Sequence, residues 1–425
     1  MSKRKLHENA IDRLTVGGFK SIRDEQTLQV APLTLVAGVN SAGKSSVMQP
    51  LLLMKQTLES SFTTGPLLLD GPHVKFRNST ELLTQYRSSA SPRLPVVFEV
   101  RTSHGRLRAC FEHDEALRLS ETIVPLFGRE RHLWRDMTNE EIRKSLHGAL
   151  SFFGKGALRL VPHRFSFSVA QRGSEEPFGN RLLNDDSFPA AIQSVFHLPG
   201  LRGNPERSYA RTGVSAPYAG PFPPYTASVI ADWQKQKSDN YEALAADLVE
   251  LGLTWKVTAE AVSDTEVSVR VGRLVSPQRG GARDFVSIAD VGVGVSQALP
   301  LLVALHAAAP GHLVYVEEPE IHLHPLAQVA LATVLARAAN RGVRVVAETH
   351  SPLLLLAVQT VVANGKIAPA DVNLAWVERD DDGYTTLRQV TPEPNGSFGD
   401  WPVDFDSVEL KAQAAYLDAV ERRRR

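Results

Sequence analysis

The octapeptide Gly38-Val39-Asn40-Ser41-Ala42-Gly43-Lys44-Ser45 constrains the fold of this chain more than any other segment. It follows the apolar run from Leu33 to Ala37 and opens a helix-compatible stretch, which is the strand, loop and helix setting that a P-loop requires. Glycines let successive backbone N–H groups turn toward phosphates, a lysine reaches the β- and γ-phosphates, and a hydroxyl can ligate Mg²⁺. The pattern predicts a site for a nucleoside triphosphate, here ATP with Mg²⁺.

We expect Lys44 to act as the catalytic cation of this site and Ser45 as a magnesium ligand. The alternative is a chance glycine-rich turn. Two fixed glycines and Lys-Ser directly after a strand-like run make that a poor explanation. The predicted nucleotide contacts of the loop and helix start are Gly38, Asn40, Ser41, Ala42, Gly43, Lys44, Ser45 and Ser46.

Charge and cysteine content limit the class of protein. Lys plus Arg equals Asp plus Glu, 47 each, so there is no overall basic footprint for nonspecific nucleic-acid binding. The only cysteine, Cys110, excludes an internal disulfide and is interpreted as a small core residue of a protein from a reducing cytosol. The longest apolar runs are broken by prolines far short of a bilayer span, so we expect no membrane segment and a cytoplasmic location.

Periodicity predicts an α/β fold, namely a P-loop NTPase core with a mixed sheet that is interrupted by a largely helical middle insertion. Within that insertion the stretch from Arg131 to Phe153 is interpreted as helix. Strand and helix patterns of the core resume near Trp255. The predicted boundaries are 1–121 for the first core half, 122–254 for the insertion, 255–390 for the second core half and 391–425 for a short tail.

A continuous apolar strand from Leu313 to Val316 ends in Glu317-Glu318-Pro319-Glu320. Such a strand end places carboxylates at the sheet edge where a P-loop fold holds Mg²⁺ and activates water. We expect Glu317 to be a magnesium ligand and Glu318 to orient or deprotonate the attacking water. The alternative is an acidic loop that caps a core strand, although a P-loop in the same chain requires such a strand.

Two further segments are expected at the nucleotide site. A second apolar strand ends before His350, so this histidine either senses the γ-phosphate or merely caps the next helix. Upstream, Gly292, Gly294 and Ser296 precede an apolar stretch and would lie at a helix N-terminus, which can bind anions. The glycines could alternatively serve only a tight turn.

Four motifs follow one another along the chain: the P-loop, the Gly-x-Gly-x-Ser-Gln segment from Gly292, the Glu-Glu-Pro-Glu strand end and the Glu-Thr-His-Ser strand end. In this order they resemble the motifs of ABC-type ATPases. The runs Glu318-Pro319-Glu320-Ile321-His322-Leu323-His324-Pro325 and Glu348-Thr349-His350-Ser351-Pro352 resemble the stand-alone AAA-type, ABC-like ATPases of prokaryotes related to the overcoming-lysogenization-defect proteins. The run from His197 to Arg202 is similar to a Gly-Pro-Leu-Arg segment of that group. The run from Gly399 to Pro402 is similar to the Trp-Pro element of a short C-terminal domain of unknown function found there.

The resemblance implies that two subunits enclose ATP, with Gly294 and Ser296 of one subunit facing the γ-phosphate held by Lys44 of the other. It also implies ATP hydrolysis that gates a separate effector in anti-phage defence, as in Septu-like and PARIS-like ATPases. No long heptad run separates the two halves, so coiled-coil arms are not predicted. The alternative function is an ATP-dependent DNA-binding module for repair or maintenance.

DNA binding would need a local basic patch, since the whole chain is neutral. Arg202, Arg207 and Arg211 are the candidates, and they could equally form a solvated loop. The terminal run from Arg422 to Arg425 is more typical of a disordered tail than of a nucleic-acid arm.

Overall fold

The computed structural model describes residues 10–61, 65–85, 94–126, 129–146, 156–171, 187–274 and 284–399. These residues form eight α-helices and eighteen strands. The helices are α1 Lys44–Glu59, α2 Asn139–Ser145, α3 Ser187–Gln193, α4 Thr226–Gln236, α5 Asp239–Glu250, α6 Val293–Ala307, α7 Pro325–Asn340 and α8 Pro352–Ala363. The strands are β1 Arg13–Gly17, β2 Gln26–Gln29, β3 Leu33–Gly38, β4 Val96–Thr102, β5 Gly105–His113, β6 Leu117–Leu126, β7 Arg129–Trp134, β8 Leu158–His163, β9 Ser166–Gln171, β10 Phe196–Leu198, β11 Tyr209–Ala210, β12 Val257–Ala261, β13 Glu266–Gly272, β14 Phe285–Ser287, β15 Leu313–Glu317, β16 Arg344–Thr349, β17 Val372–Arg379 and β18 Thr385–Val390.

The central sheet has the strand order β10-β15-β16-β3-β17-β18. Its first five strands are parallel, and β18 pairs with β17 antiparallel. The sheet is therefore mixed, as predicted. The strand that precedes the P-loop, β3, lies between β16 and β17, so the strand that ends in Glu317 is not its neighbour.

Side chains of the central strands alternate between two hydrophobic cores. On β3, Leu33 and Leu35 pack into one core with residues of α6, α7 and α8, while Val36 packs into the other with residues of α1. Strands buried on both faces read as continuous apolar runs, which is why β3, β15 and β16 are conspicuous in the sequence. The parallel sheet is thus the middle layer between helices on one side and α1 with a second sheet on the other.

The second sheet is antiparallel, with the order β2-β1-β4-β5-β6-β7. The hairpin of β4 and β5 turns at Ser103-His104, directly before Gly105, and Cys110 on β5 is buried as expected. Burial raises the pKa of its thiol to about 12, so Cys110 is an unreactive core residue. A smaller sheet joins β11, β13, β12 and β14, and β8 pairs with β9.

The middle region differs from the prediction of a largely helical insertion. The stretch expected to be helical from residue 131 onward begins as strand β7 and contains only the short helix α2 among the described residues. Residues of β7 pair with β6, so sheet extension overrides the local helical pattern. The two longest helices described in the region are α4 and α5, which pack with α6 in the first core.

The predicted boundary after residue 121 does not coincide with a structural boundary, because β6 runs from Leu117 to Leu126. Strand β10, which lies within 122–254, is the edge strand of the central sheet. The middle region therefore contributes to the core rather than standing apart from it. Residues 400–425, with the Trp401-Pro402 element and the arginine run, lie outside the described residues. In the described part of the chain, no helix is long and apolar enough to cross a membrane.

Candidate nucleotide site

The P-loop joins the end of β3 to the start of α1. Gly38 has φ 153° and Gly43 has φ 101°, and Ser41 has φ 62°. A Cβ at Gly38 would lie 2.1 Å from the Val377 carbonyl oxygen, so only glycine fits there. No side chain caps the N-terminus of α1, which leaves its first N–H groups available to an anion.

Neighbouring elements hold this loop from outside. Arg379 of β17 donates from Nε and Nη2 to the Ser41 carbonyl, at 2.9 and 2.7 Å. Thr385 of β18 donates to the Ala42 carbonyl at 2.6 Å, and its hydroxyl also lies 2.7 Å from that of Ser21. The P-loop is therefore held in place by hydrogen bonds from two strands, β17 and β18.

Lys44 begins α1 and is buried, 4% exposed. Its Nζ donates to the carbonyl oxygens of Gly38 and Val39 at 3.0 and 2.9 Å. Burial lowers the pKa of Lys44, and the nearby charges of Glu348 and Glu318 oppose that shift. The ammonium group thus lies within the loop whose backbone would surround the phosphates, as the sequence predicts.

Ser45 donates from Oγ to Oε1 of Glu348 at 2.9 Å. The other oxygen of Glu348 accepts a hydrogen bond from the Tyr315 hydroxyl, also at 2.9 Å. Burial raises the pKa of Glu348 to about 7, and the two hydroxyl donors only partly offset that rise. Burial, reinforced by the charge of Glu348, likewise raises the pKa of Tyr315.

Glu317 ends β15 in register with Glu348, but its carboxylate has different partners. Oε1 lies 3.3 Å from His197 Nε2, and Oε2 accepts from the Gly200 backbone N–H at 3.1 Å. Burial by itself would raise the pKa of Glu317, but these hydrogen bonds and the His197 side chain leave the pKa below its ordinary value. None of the hydrogen bonds described for Glu317 involves Ser45.

Glu318 and His350 lie next to each other, with His350 Nε2 3.8 Å from Glu318 Oε1. Both side chains are partly exposed, 42% for Glu318 and 33% for His350, so they line an open site. Burial and the charge of Lys44 lower the pKa of His350. His350 does not cap α8, because Ser351 does so by accepting from the Leu354 N–H.

Glu320 fixes the turn after β15 to the end of β16. Its Oε1 accepts from the Thr349 hydroxyl at 2.7 Å and from the His350 N–H at 3.0 Å. The backbone of Glu318 is in the left-handed region with φ 45°, a conformation that a non-glycine residue adopts only when its surroundings impose it. The turn therefore holds the Glu318 backbone in a conformation that places its side chain beside His350.

Arg202 supplies part of that constraint. Its Nη2 donates to the carbonyl oxygens of Glu317 and Glu318 at 2.7 and 3.3 Å, and its Nη1 donates to that of Gln297 at 3.1 Å. Burial lowers the pKa of Arg202 to about 10. This arginine therefore links the start of α6 to the turn after β15 and is not part of a surface patch.

The predicted residues at the start of α6 divide into two groups. Gly292 and Gly294 head the helix, and Gly292 is exposed. Ser296 is only 9% exposed, and its hydroxyl donates to the Val293 carbonyl at 2.9 Å. Its side chain lines a cavity of about 550 Å³ with Arg202. In this structure the Ser296 hydroxyl is thus bonded within its own helix, and its expected role toward a phosphate of another subunit stays a prediction.

The residues present fit a magnesium nucleotide. The loop offers an uncapped helix start, a buried lysine and a serine hydroxyl beside a carboxylate, all at the carboxyl edge of parallel strands. Among the residues that the structure describes, no group of three His, Cys, Asp or Glu could hold a metal alone. The other ligands of Mg²⁺ would be phosphate oxygens and water, as is usual for this ion.

Sequence reasoning missed the roles of Glu348, Tyr315 and Arg202. Glu348 was visible as a carboxylate at the end of a buried strand, which is the same signal that singled out Glu317. Only the strand order, with β16 beside β3, distinguishes the two. Nothing in the sequence around Arg202 indicates that its partners are backbone carbonyls.

Comparison with solved structures found similarity to heads of SMC proteins. The SmcHead bound to the C-winged helix domain of ScpA has a TM-score of 0.47 and 12% identity, covering 90% of this chain and 98% of that one. The SMC head domain from Thermotoga maritima has a TM-score of 0.41 and 10% identity, covering 90% and 99%. The Smc head domain with an extended coiled coil, bound to the C-terminal domain of ScpA derived from Pyrococcus furiosus, has a TM-score of 0.45 and 10% identity, covering 97% and 99%.

A comparison with curated proteins found no match. A protein family described as "AAA domain, putative AbiEii toxin, Type IV TA system" matches residues 33–357. The matched region begins at β3 and ends within α8, so it includes the P-loop and the strand ends that carry Glu317, Glu348 and His350. Since this region is more than half of the 425 residues, the chain belongs to that family of AAA-domain, P-loop proteins.

Proposed function

We propose that this protein hydrolyses ATP to ADP and phosphate with Mg²⁺ as cofactor. The observation that carries the proposal is the convergence of Lys44, Ser45, Glu318 and His350 at one open edge of the central sheet. The first two residues follow the P-loop strand and the last two come from strand ends distant in sequence. Clustering of a phosphate-binding lysine, a metal-binding hydroxyl and a carboxylate beside a histidine is what phosphoryl transfer to water needs.

In this proposal the P-loop N–H groups and Lys44 hold the phosphates, and Lys44 exchanges its two carbonyl partners for phosphate oxygens. Glu318 is exposed enough to reach a water molecule and accepts its proton or orients it. His350, whose pKa is lowered by burial and by Lys44, is neutral at pH 7 and donates from one ring nitrogen to the γ-phosphate. A bound Mg²⁺, held by Ser45 and supported by a carboxylate at the end of a neighbouring strand, would neutralise charge on the β- and γ-phosphates.

We further propose that ATP closes a homodimer in which the start of α6 of one subunit meets the phosphates bound by the other. Gly292 is open to solvent, and Val293 beside it is 45% exposed. The donors offered across the interface would be backbone N–H groups of this helix start rather than the inward-turned Ser296 hydroxyl.

The biological role we propose is cytoplasmic, prokaryotic anti-phage defence, in which the dimer gates a separate nuclease or toxin. Support comes from the motif resemblance and from membership of a family whose description includes a toxin system. The DNA-binding alternative has less support, because its three candidate arginines do not form a free patch. Arg202 is half-buried and bonded to backbone carbonyls, and Arg207 forms an ion pair with Asp290, which leaves Arg211.

Phosphate release from ATP by the purified chain, with MgCl₂ and with EDTA, tests the enzymatic proposal. Light scattering of the Glu318→Gln variant with ATP tests dimer closure, because a variant that binds without hydrolysing should accumulate the closed form. An absence of nucleotide binding by the wild type would refute both. ATP hydrolysis that double-stranded DNA stimulates severalfold would favour the DNA-binding alternative.

A further inference from the structure

We propose that Glu348 is the carboxylate of the magnesium site, a role that the sequence pattern assigns to Glu317. This inference rests on the proposed function, since it concerns the ion that accompanies ATP. Glu348 would fix the Ser45 hydroxyl and place a negative charge beside the ion. The two glutamates end adjacent parallel strands in register, so their side chains invite direct comparison.

The first step is the direction of the Ser45 hydrogen bond. A serine hydroxyl has one proton and two lone pairs, and Ser45 gives its proton to Glu348 Oε1 at 2.9 Å. Both lone pairs of Ser45 therefore remain for a cation. A carboxylate that accepts from the metal-binding hydroxyl sets its orientation, which is the usual task of a partner behind a metal ligand.

The second step is the burial of Glu348. The residue is 6% exposed, and none of the ion pairs found among the described residues includes it. Its two described hydrogen bonds come from the neutral hydroxyls of Ser45 and Tyr315. A buried carboxylate ordinarily pairs with a cation or coordinates a metal. The charge of Lys44 acts on this carboxylate without forming an ion pair with it, so a divalent cation beside the P-loop serine would supply the direct partner that Glu348 lacks among the described residues.

The third step is the occupation of Glu317. Each of its oxygens already has a partner, in His197 and in the Gly200 N–H. Glu317 would have to leave both partners to approach Ser45, whereas Glu348 is already in contact with it.

The test measures how much Mg²⁺ strengthens nucleotide binding, independently of turnover. Affinity for the non-hydrolysable analogue AMP-PNP is determined by calorimetry in MgCl₂ and in EDTA, and the ratio of the two affinities is compared between variants. Glu348→Gln should lower this ratio by about tenfold or more, the usual cost of losing a partner behind a metal ligand. Affinity in EDTA should be unchanged or higher, because a negative charge near the phosphates is removed.

Glu317→Gln is the decisive comparison. It should lower the ratio of the AMP-PNP affinities in MgCl₂ and in EDTA by less than Glu348→Gln does. Glu112→Gln, the same change at an exposed position of β5, is the matched control and should keep the wild-type ratio. Ser45→Ala should lower the ratio as Glu348→Gln does. The double variant should then lose little more than either single variant, because both changes remove the same contact.

A Glu348→Gln variant with the wild-type ratio would overturn the assignment, as would a Glu317→Gln variant that loses as much or more. Either result leaves the ATPase proposal standing, since wild-type binding and hydrolysis are measured separately. Absence of AMP-PNP binding by the wild type would instead remove both proposals. A variant that merely misfolds is recognised by weaker binding in EDTA as well. The Glu317→Gln result then decides, because a near wild-type ratio supports the assignment and a loss of tenfold or more overturns it.

Discussion

Glu317 and Glu348 occupy equivalent positions at the ends of two adjacent parallel strands, yet their surroundings differ. Glu317 is fixed by an imidazole and a backbone N–H on the β10 side, which lowers its pKa. Glu348 is buried against two neutral hydroxyls beside the P-loop, which leaves its pKa raised to about 7. The first carboxylate is satisfied without a ligand, whereas the second is poised for a cation.

The difference shows that two carboxylates at equivalent strand ends differ in pKa and in hydrogen-bond partners because different elements lie beside them. Strand β16 lies directly beside β3, and β15 lies one strand farther away. Glu318 is one residue beyond Glu317. Its backbone has a positive φ, and its side chain lies beside His350 rather than beside His197. The following predictions test how far these local differences control nucleotide binding, turnover and stability.

Lys44→Ala should have the largest effect on ATP affinity. Without bound nucleotide, Glu317 and Glu348 could no longer be compared as parts of a nucleotide site. The substitution deletes the buried ammonium group that lies among the loop carbonyls, so ATP affinity should fall by about 100-fold or more. Calorimetry with ATP and Mg²⁺ measures the loss. Lys144→Ala, at an exposed position of α2, is the control and should bind ATP normally. Retained affinity in Lys44→Ala would show that nucleotide does not bind at this loop.

Glu318→Gln should keep ATP affinity within a few fold and reduce turnover by about 10²- to 10³-fold, because an amide cannot accept a proton from water. Phosphate release under saturating ATP measures turnover, and calorimetry measures binding. Glu317→Gln should reduce turnover less, since its carboxylate faces His197 rather than the open site. The reverse ranking of the two variants would mean that their roles are exchanged.

The sequence predicted much of this fold for a simple reason. Strands buried on both faces, such as β3, β15 and β16, appear as apolar runs, and the P-loop between β3 and α1 requires fixed glycines. The same patterns predicted that Lys44, Ser45, Glu318 and His350 lie at one edge of the sheet. They could not distinguish Glu317 from Glu348, because strand order depends on contacts distant in sequence.

Other failures have the same physical origin. The stretch predicted as helix begins at Arg131, but its first residues pair with β6 as part of strand β7, so tertiary contacts outweigh local propensity. The hydroxyl of Ser296 lies one turn into α6, which begins at Val293, and its bond to the Val293 carbonyl is a local contact that the sequence does not show. The sequence does not distinguish Arg202 from Arg207. In the structure Arg202 is half-buried against backbone carbonyls, whereas Arg207 is exposed and paired with Asp290.

Arg202→Met tests whether the turn after β15 is fixed by that arginine. The change leaves the carbonyls of Gln297, Glu317 and Glu318 without this donor, and should lower the free energy of unfolding by about 3 kcal/mol. Chemical denaturation measures the loss. Arg207→Met removes only an exposed ion pair with Asp290 and should cost about 0.5 kcal/mol. Equal costs would mean that Arg202 does not hold the turn.

Glu348→Gln should have the smallest effect, a change in how the stability of the nucleotide-free protein depends on pH. Burial raises the pKa of Glu348 to about 7 from an ordinary value of 4.5, so the folded chain holds this proton more tightly than the unfolded chain does. Its contribution to stability is therefore complete below about pH 4.5 and is lost as the pH rises to about 7.

A glutamine remains neutral throughout this range, so wild type and variant should be similarly stable at pH 5, where Glu348 is protonated in the folded chain. At pH 8 the variant should be more stable by about 1–3 kcal/mol, because the wild type must then bury an anion whose cost the charge of Lys44 offsets only in part. Chemical denaturation in EDTA at several pH values measures the difference, with Glu112→Gln as the control. Added Mg²⁺ and AMP-PNP should reduce the advantage of the variant, since the ion then compensates the charge of Glu348. A variant less stable than the wild type at pH 8 in EDTA would mean that the fold already stabilises this anion, and the contrast with Glu317 would disappear.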